Sequence, residues 1–267
     1  MAKLKNKEQA IGLFDSGIGG LTVLDCVQEI LPAENLIYMA DSEHAPYGDK
    51  TVDYICARSQ HICDLLIDRE VKAIVIACNT ATAAAASFLR KQYQLPIIAM
   101  EPGVKPALAL SESGVIGVLA TVETAHSKQL DDLVKRYAGE QQVLIQACPG
   151  LVELIEAGET NNEKTRELLK HYLQPLLEAG VDTLVLGCSH YPLIHSQIQA
   201  LVGEKIQLVE TGAPVARELK RRLEKNNLLN NAANPGQIQV LSSAPSAQLE
   251  VLFEQITGVK VLPEHFE

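Results

Sequence analysis

The feature that most constrains this chain is an apolar strand that ends in a cysteine, because the pattern occurs twice. Residues 73–77 are apolar and lead into Cys78, and residues 182–187 lead in the same way into Cys188. Each cysteine is followed at once by small or polar residues, which indicates a turn. Ligands bind beyond the carboxyl ends of parallel strands. Two equivalent strand ends are therefore predicted to present two thiols to one ligand from opposite sides.

The rest of the chain predicts an α/β fold, because short apolar runs alternate with amphipathic helical runs throughout. We expect two doubly wound parallel-sheet domains related by pseudo-two-fold symmetry, with the active site in the cleft between them. The breaker Glu101-Pro102-Gly103 suggests where the chain crosses over. The predicted first domain is 1–99 plus 212–267 and the second is 100–211. Thr121-Val-Glu-Thr124 is expected to turn into a helix that runs through Tyr137, and a closing strand is expected at 259–262.

Composition excludes several classes of function. The 267 residues carry a net charge of −10 and no dense basic stripe, which argues against nucleic acid or an anionic membrane as the main partner. The polar start and the lack of a long apolar run predict a cytoplasmic protein without a membrane span. Six cysteines without a Cys-x-x-Cys pair, in a chain without a His-rich tract, predict free thiols and no metal site.

Two glycine-containing turns are candidates for ligand binding. Asp15-Ser16 opens a strand–glycine–helix turn, whose amides suit an anion. It matches neither a dinucleotide fingerprint, since Thr22 replaces the third glycine, nor a P-loop. The alternative is a structural turn with Asp15 as a helix cap. Farther on, Pro46-Tyr47-Gly48 is predicted either to aim a phenol and an amide into the cleft or to form an exposed β-turn.

The cysteine turns suggest three kinds of chemistry. Cys78, Asn79 and Thr80 are predicted to begin a helix, a position that lowers a thiol pKa; the alternative is a buried cysteine with capping neighbours. Cys188 and His190 occupy a similar turn before Pro192. A disulfide switch, a nucleophilic cysteine with a histidine, or proton transfer at carbon by two opposed sulfurs would each use such a pair. The last requires a polar assistant for each sulfur.

Candidates for those assistants are Asp15 near the first strand ends, and His190 and Glu156 in the second half. Cys148, before a proline at another turn, ranks below the other two cysteines.

Five segments taken in order closely resemble the glutamate racemases of the aspartate/glutamate racemase superfamily. They are Asp15-Ser16-Gly-x-Gly-Gly, Asp41-x4-Pro46-Tyr47-Gly48, Ala77-Cys78-Asn79-Thr80-Ala, Glu101-Pro102-Gly103 and Gly187-Cys188-x-His190-Tyr191-Pro192. The resemblance implies a cofactor-independent enzyme that interconverts L- and D-glutamate and supplies D-glutamate for peptidoglycan. It also implies two α/β domains with the substrate between them, and a homodimer.

The same resemblance assigns roles to residues. Cys78 and Cys188 correspond to the acid/base thiols, assisted by Asp15, His190 and the glutamate of a Val-Glu-x-Gly stretch, which Glu156 matches better than Glu153. The substrate-binding positions are Asp15, Ser16, Tyr47, Gly48, Asn79, Thr80, Thr121, Thr124, Ser189 and His190. The chain departs from the family pattern in two places: Ser189 stands where threonine is usual, and Cys148-Pro149-Gly150 is smaller than usual.

Three alternatives stay open on the sequence alone. A racemase of aspartate or of a hydantoin would share the two cysteines, and a substrate panel separates it from a glutamate racemase. A small-ligand-binding module would have the cleft without turnover. A thiol-redox protein would form a Cys78–Cys188 disulfide.

Overall fold

The computed structural model describes residues 6–267, in which strands alternate with helices. The first stretch contains β1 (Ile11–Asp15), α1 (Leu21–Ile30), β2 (Leu36–Ala40), α2 (Val52–Asp68), β3 (Ala73–Ile76), α3 (Asn79–Gln92) and β4 (Ile97–Ala99). Two short 3-10 turns, Ser42–His44 and Tyr47–Asp49, lie between β2 and α2.

The second stretch repeats the alternation after the Glu101-Pro102-Gly103 breaker. It contains α4 (Val104–Leu110), β5 (Val115–Ala120), α5 (Val122–Ala125), α6 (Lys128–Tyr137), β6 (Gln142–Ala147), α7 (Leu151–Glu156), α8 (Glu163–Glu178), β7 (Thr183–Leu186), α9 (His195–Val202) and β8 (Gln207–Val209). The 3-10 turn Tyr191–Ile194 precedes α9. The chain then ends with α10 (Gly212–Lys225), β9 (Ile238–Ser242), α11 (Ala247–Thr257) and β10 (Glu264–His265).

The strands form two parallel sheets, which confirms the predicted α/β class. One sheet has the order β10-β9-β2-β1-β3-β4 and the other β6-β5-β7-β8. All the pairings are parallel. Four strands of the first sheet, β2-β1-β3-β4, therefore have the same order as the second sheet. Both cysteine-bearing strands, β3 and β7, lie beside the first strand of their own stretch.

The chain passes between the two sheets twice, after β4 and after β8. β9 returns to the first sheet, where Val240 lies opposite Tyr38 of β2. The two sheets share one hydrophobic cluster, which includes Leu24 and Tyr38 on one side and Leu186 and Tyr191 on the other. Each fully buried side chain of this size stabilises the fold by about 1.5–3 kcal/mol. The shared cluster brings the carboxyl ends of β1 and β7 close together.

One local prediction from the sequence is wrong, near the end of the chain. The predicted helix through Tyr137 is present as α6, which begins where the Ser127 hydroxyl accepts the Leu130 N–H, and the turn before it contains the short helix α5. The predicted strand at 259–262 is absent, and β10 at Glu264–His265 pairs with β9 instead. Val259 and Leu262 are 60% and 84% exposed, so these apolar residues have no buried face on which to form a strand. Within residues 6–267, no helix has the length and apolarity that a bilayer crossing requires.

Candidate active site

The two cysteines predicted to act together are both buried at strand ends. Cys78 follows β3 by two residues and begins α3, where its sulfur accepts the Ala81 N–H at 3.4 Å. Cys188 follows β7 by two residues, and the two cysteines are 3% and 4% exposed. The residues next to the two cysteines meet, because Ser16 lies 3.8 Å from the Cys78 sulfur and its neighbour Asp15 accepts a hydrogen bond from Ser189, the residue after Cys188. The structure therefore brings together the two thiols that the sequence singled out.

Asp15 links the two sheets at this point. It ends β1, is fully buried, and accepts the Gly17 N–H on Oδ1 at 2.8 Å. Its Oδ2 accepts the Ser189 hydroxyl at 2.9 Å from the turn after β7. Burial raises the pKa of the Asp15 carboxyl, although the nearby His190 and the two hydrogen bonds act in the opposite direction. Beside it, Ser16 places its hydroxyl 3.8 Å from the Cys78 sulfur.

Cys188 lies beside a histidine–carboxylate pair, of which His190 is buried and Glu156 is partly buried. His190 Nδ1 lies 3.8 Å from the Cys188 sulfur, and Nε2 lies 2.5 Å from Glu156 Oε1. Glu156 Oε1 also accepts the Ile18 N–H at 2.9 Å. Burial lowers the pKa of His190, but its contacts with Cys188 and Glu156 outweigh burial and raise that pKa well above its usual range.

The pKa of Glu156 is shifted in the opposite direction to that of His190. Burial acts to raise its pKa, but the hydrogen bonds from His190 and Ile18 outweigh burial and lower it. A protonated imidazole and an ionised carboxylate are therefore the favoured forms of this pair. The other candidate glutamate, Glu153, is exposed and lies on the wall of a small cavity of about 50 Å³.

The expected lowering of the Cys78 pKa is wrong for this structure. Burial raises the pKa of the Cys78 thiol well above its usual value, and the Asp15 carboxylate raises it further. The hydrogen bonds from Ala81 and Ser16 oppose this change but do not cancel it. Exclusion of water thus dominates over the helix N-terminus, and the thiol is the favoured form.

Three threonines connect α3 with the turn that begins α5. Thr80 Oγ1 lies 2.9 Å from Thr121 Oγ1 and 3.4 Å from Thr124 Oγ1. Thr121 Oγ1 also donates to Thr124 Oγ1 at 3.0 Å. The three hydroxyls form a buried polar cluster that joins the turn after β3 to the turn after β5.

Asn79 is buried beside this threonine cluster. Its amide nitrogen donates to the Met100 carbonyl at 3.3 Å. Its Oδ1 is buried without a hydrogen-bond partner among the residues that the structure describes. Buried polar atoms are normally paired, so this oxygen is a candidate acceptor for a ligand.

Tyr47 is buried and its neighbours Pro46 and Gly48 are half-buried, which excludes the exposed β-turn. Tyr47 is 1% exposed, and a Cβ on Gly48 would lie 3.0 Å from Thr121 Cβ. The Tyr47 hydroxyl donates to Asp41 Oδ2 at 2.5 Å. Asp41 in turn pairs with Arg58. The sequence motif includes Asp41 but does not indicate Arg58, because only the packing of α2 against this turn reveals the contact.

The small cavity near Glu153 marks an opening between the sheets. Gly48, Thr121 and Cys148 also lie on its wall. Burial raises the pKa of the Cys148 thiol to about 12. A larger cavity of about 380 Å³ between α8 and α9 has no cysteine or histidine on its wall, so size alone does not locate the site. Across the described part of the chain, no group of three His, Cys, Asp or Glu side chains is arranged to hold a metal ion.

The fold and the two buried cysteines at equivalent strand ends are consistent with one family of known proteins. The family model for Asp/Glu/Hydantoin racemase matches residues 11–219. The chain belongs to this racemase family.

Among its relatives are proteins named glutamate racemase. That of Methylococcus capsulatus is 47% identical over 267 residues, covering 98% of each chain. The crystal structure of a glutamate racemase isoform from Bacillus anthracis matches with a TM-score of 0.90 and 30% identity, covering 98% of each chain. The glutamate racemase from Francisella tularensis, solved with D-glutamate, matches with a TM-score of 0.85 and 28% identity over 98% of each chain.

Proposed function

We propose that this chain is a glutamate racemase that interconverts L- and D-glutamate through Cys78 and Cys188. The observation that carries the proposal is the pair of buried thiols at equivalent strand ends of two sheets, each with its own polar assistant. Relatives named glutamate racemase support the choice of glutamate. Such an enzyme would supply D-glutamate for peptidoglycan synthesis, and so contribute to cell-wall biogenesis and cell shape.

The proposed reaction removes a proton from one face of the α-carbon and adds a different proton to the opposite face. One sulfur, as thiolate, takes the α-proton and leaves an electron pair on the α-carbon. The opposite thiol then gives its proton to the other face, and the roles of the two sulfurs are exchanged in the product complex. Near Cys188, His190 as an imidazolium stabilises negative charge on sulfur, while Glu156 holds that imidazolium. Near Cys78, the Asp15 carboxyl and the Ser16 hydroxyl are the assistants.

The substrate is proposed to be held by neutral hydrogen-bonding groups around the two sulfurs. The proposed set is Ser16, Tyr47, Gly48, Asn79, Thr80, Thr121, Thr124 and Ser189, together with Asp15 and His190. The unpaired Oδ1 of Asn79 suits the substrate ammonium group, which brings only donors. Preorganised donors in a water-poor site stabilise charge on the carboxylate as the α-carbon loses its proton. No cofactor is part of this proposal.

The wider organisation is proposed on the same basis. Residues 1–99 plus 212–267 would form one domain and residues 100–211 the other, with the substrate between them. We further propose a cytoplasmic homodimer, as the resemblance to this family implies.

The direct test is to incubate the purified protein with each glutamate enantiomer in deuterated water. Racemisation is monitored by circular dichroism. We expect both enantiomers to converge on the racemate, with deuterium at the α-carbon of the product. Cys78→Ala and Cys188→Ala should each abolish turnover. Cys26→Ala is the matched control, because Cys26 lies on α1 and is half-buried. Turnover near the wild-type rate in either active-site variant would remove the two-base assignment.

The substrate itself is tested by a panel of aspartate, hydantoins and glutamate. Glutamate should give the highest kcat/KM. Preference for aspartate or a hydantoin would keep the family chemistry but reject the proposed substrate. Binding of glutamate without any turnover would indicate a binding module instead.

A further inference from the structure

Asp41 is a fully buried carboxylate at the carboxyl end of β2, next to the proposed active site. Its backbone N–H donates to the Asp15 carbonyl at 3.0 Å. Its side chain is 0% exposed and accepts three hydrogen bonds. Tyr47 donates one of these, at 2.5 Å, to Oδ2. A carboxylate this buried requires paired donors, because an unpaired buried charge is strongly unfavourable.

Arg58 of α2 supplies the other two hydrogen bonds. Its Nε donates to Asp41 Oδ2 at 3.0 Å, and a terminal nitrogen donates to Oδ1 at 2.7 Å. The Arg58 side chain is only 17% exposed. Two parallel bonds from a planar guanidinium fix the orientation of a carboxylate as well as its charge. Arg58 thus determines which way Asp41 Oδ2 faces.

Asp41 Oδ2 in turn orients Tyr47. The Tyr47 ring packs in the same apolar cluster as Cys78, and burial together with the Asp41 charge raises the pKa of its phenol. The next residue, Gly48, passes so close to Thr121 that a Cβ would lie 3.0 Å from Thr121 Cβ. The Tyr47–Gly48 turn therefore has little freedom, and the hydrogen bond of the Tyr47 hydroxyl connects it through Asp41 to Arg58.

We propose that Arg58 is a positioning residue for racemisation: through Asp41 it fixes the Tyr47–Gly48 turn against the Cys78 side of the substrate cleft. This inference rests on the proposed function. Arg58 acts at a distance from the reacting sulfur, since its guanidinium bonds to Asp41 and also lies beside the Tyr47 hydroxyl. Its loss should weaken substrate binding rather than remove an acid or a base.

The chain offers a matched control, a second arginine–carboxylate pair of the same geometry outside the site. Arg221 donates from Nε and from a terminal nitrogen to Glu218 at 2.6 and 2.7 Å, along the surface of α10. The side chains of this pair are 60% and 43% exposed. Arg221→Met removes the same two bonds without touching the turn.

The experiment compares Arg58→Met with Arg221→Met in both directions of racemisation, and measures D-glutamate binding by calorimetry. For Arg58→Met we expect KM and the dissociation constant to rise about 10-fold to 100-fold, with kcat within about threefold of wild type. For Arg221→Met we expect wild-type values. An unchanged KM in Arg58→Met, or a fall confined to kcat, would overturn the proposal.

A double-mutant cycle tests whether Arg58 acts through Tyr47. Tyr47→Phe removes only the hydroxyl, and combining it with Arg58→Met should raise KM by much less than the product of the two single effects. An increase in KM equal to the product of the two single effects would mean that Arg58 and Tyr47 act independently, against the proposal.

Arg58→Lys serves if Arg58→Met does not fold, because lysine keeps the charge but lacks the planar fork. It should fold and show an intermediate KM, and a wild-type KM would count against the inference. If the wild-type protein itself does not racemise glutamate, the proposed function fails. The inference fails separately when wild type turns over and Arg58→Met matches Arg221→Met.

Discussion

Ser189 donates a 2.9 Å hydrogen bond to Asp15, so the turn after a strand of one sheet holds a carboxylate at a strand end of the other. The residues are 174 positions apart in sequence. Both are almost fully buried. This bond ties the assistant of Cys78 to the turn that carries Cys188. The two halves of the proposed site are therefore coupled by a direct contact as well as by shared packing.

The first prediction concerns this bond. Ser189→Ala leaves Asp15 Oδ2 without its hydroxyl donor and should raise the pKa of that carboxyl further. Leaving a buried acceptor unsatisfied costs about 1–3 kcal/mol, so we expect kcat/KM for glutamate to fall about 10-fold or more. Ser189→Thr keeps the hydroxyl and should retain most of the activity. Equal activity of the alanine and threonine variants would show that the bond has no part in turnover.

The second prediction concerns pH. The pKa of His190 is raised by its contacts with Cys188 and Glu156 despite burial, so wild-type activity that depends on the imidazolium should persist to high pH. Glu156→Gln removes the paired anion and lowers that pKa. The alkaline limb of the kcat/KM profile should then move to lower pH. Glu153→Gln is the control, because Glu153 is exposed and should leave the profile unchanged.

The second prediction has a further part, which concerns stability and the same His190–Glu156 pair. A histidine whose folded pKa is raised stabilises the fold fully below its unfolded value of about 6.5 and loses that contribution as pH rises through the folded pKa. The difference in unfolding free energy between wild type and Glu156→Gln should therefore be largest in mildly acidic solution. Urea titrations from pH 6 upward would measure this difference, and an increase with rising pH would contradict the expected direction.

The third prediction concerns Gly17, which leaves no room for a side chain beside Glu156. A Cβ on Gly17 would lie 1.8 Å from Glu156 Oε1, so Gly17→Ala must displace Glu156 from His190. A small displacement of catalytic groups can cost about 100-fold in rate, and we expect a loss of that order in kcat. Gly203→Ala is the control, with open space around the added Cβ but a positive φ of 80°. It should lose about 1–3 kcal/mol of stability, because ψ at this position is 168° and only glycine adopts this backbone region readily, and it should keep its activity.

The fourth prediction concerns a buried ion pair away from the site. Lys72 and Glu34 form a salt bridge with both side chains 0% exposed. Glu34 also accepts the Asn230 N–H at 2.9 Å, which holds the segment before β9. Glu34→Gln should lower the unfolding free energy by about 3–5 kcal/mol, measured by urea denaturation. Combining Glu34→Gln with Lys72→Met should recover part of the lost unfolding free energy. The folded protein should keep its kcat in both the single and the double variant.

Sequence reasoning reaches the fold class and the two thiols because both depend on local patterns. A β-branched run that ends in a cysteine is visible without knowing its neighbours, and the structure places Cys78 and Cys188 at such ends. The Ser189–Asp15 bond and the Asp41–Arg58 pair join segments that are distant in sequence or lie on different elements. Their partners are decided by packing, so no local pattern could identify them.

The pKa of Cys78 cannot be predicted from the sequence for a related reason. The position of this cysteine at a helix N-terminus is local information, and the structure confirms it. The degree to which the surrounding chain excludes water is not local. Burial and the Asp15 charge together decide the protonation state of the sulfur.

The repeated strand order, β2-β1-β3-β4 and β6-β5-β7-β8, has a consequence for the rates of the two directions of racemisation. Mirror-image substrates have equal free energies in solution, so the ratio of kcat/KM for the two directions is fixed at one whatever the enzyme. The repeat supplies chemically alike sulfurs, but their helpers differ, an imidazole on one side and a carboxyl on the other. We therefore expect kcat at saturating substrate to differ between the two enantiomers, with KM differing by the same factor, although both enantiomers end in the same mixture.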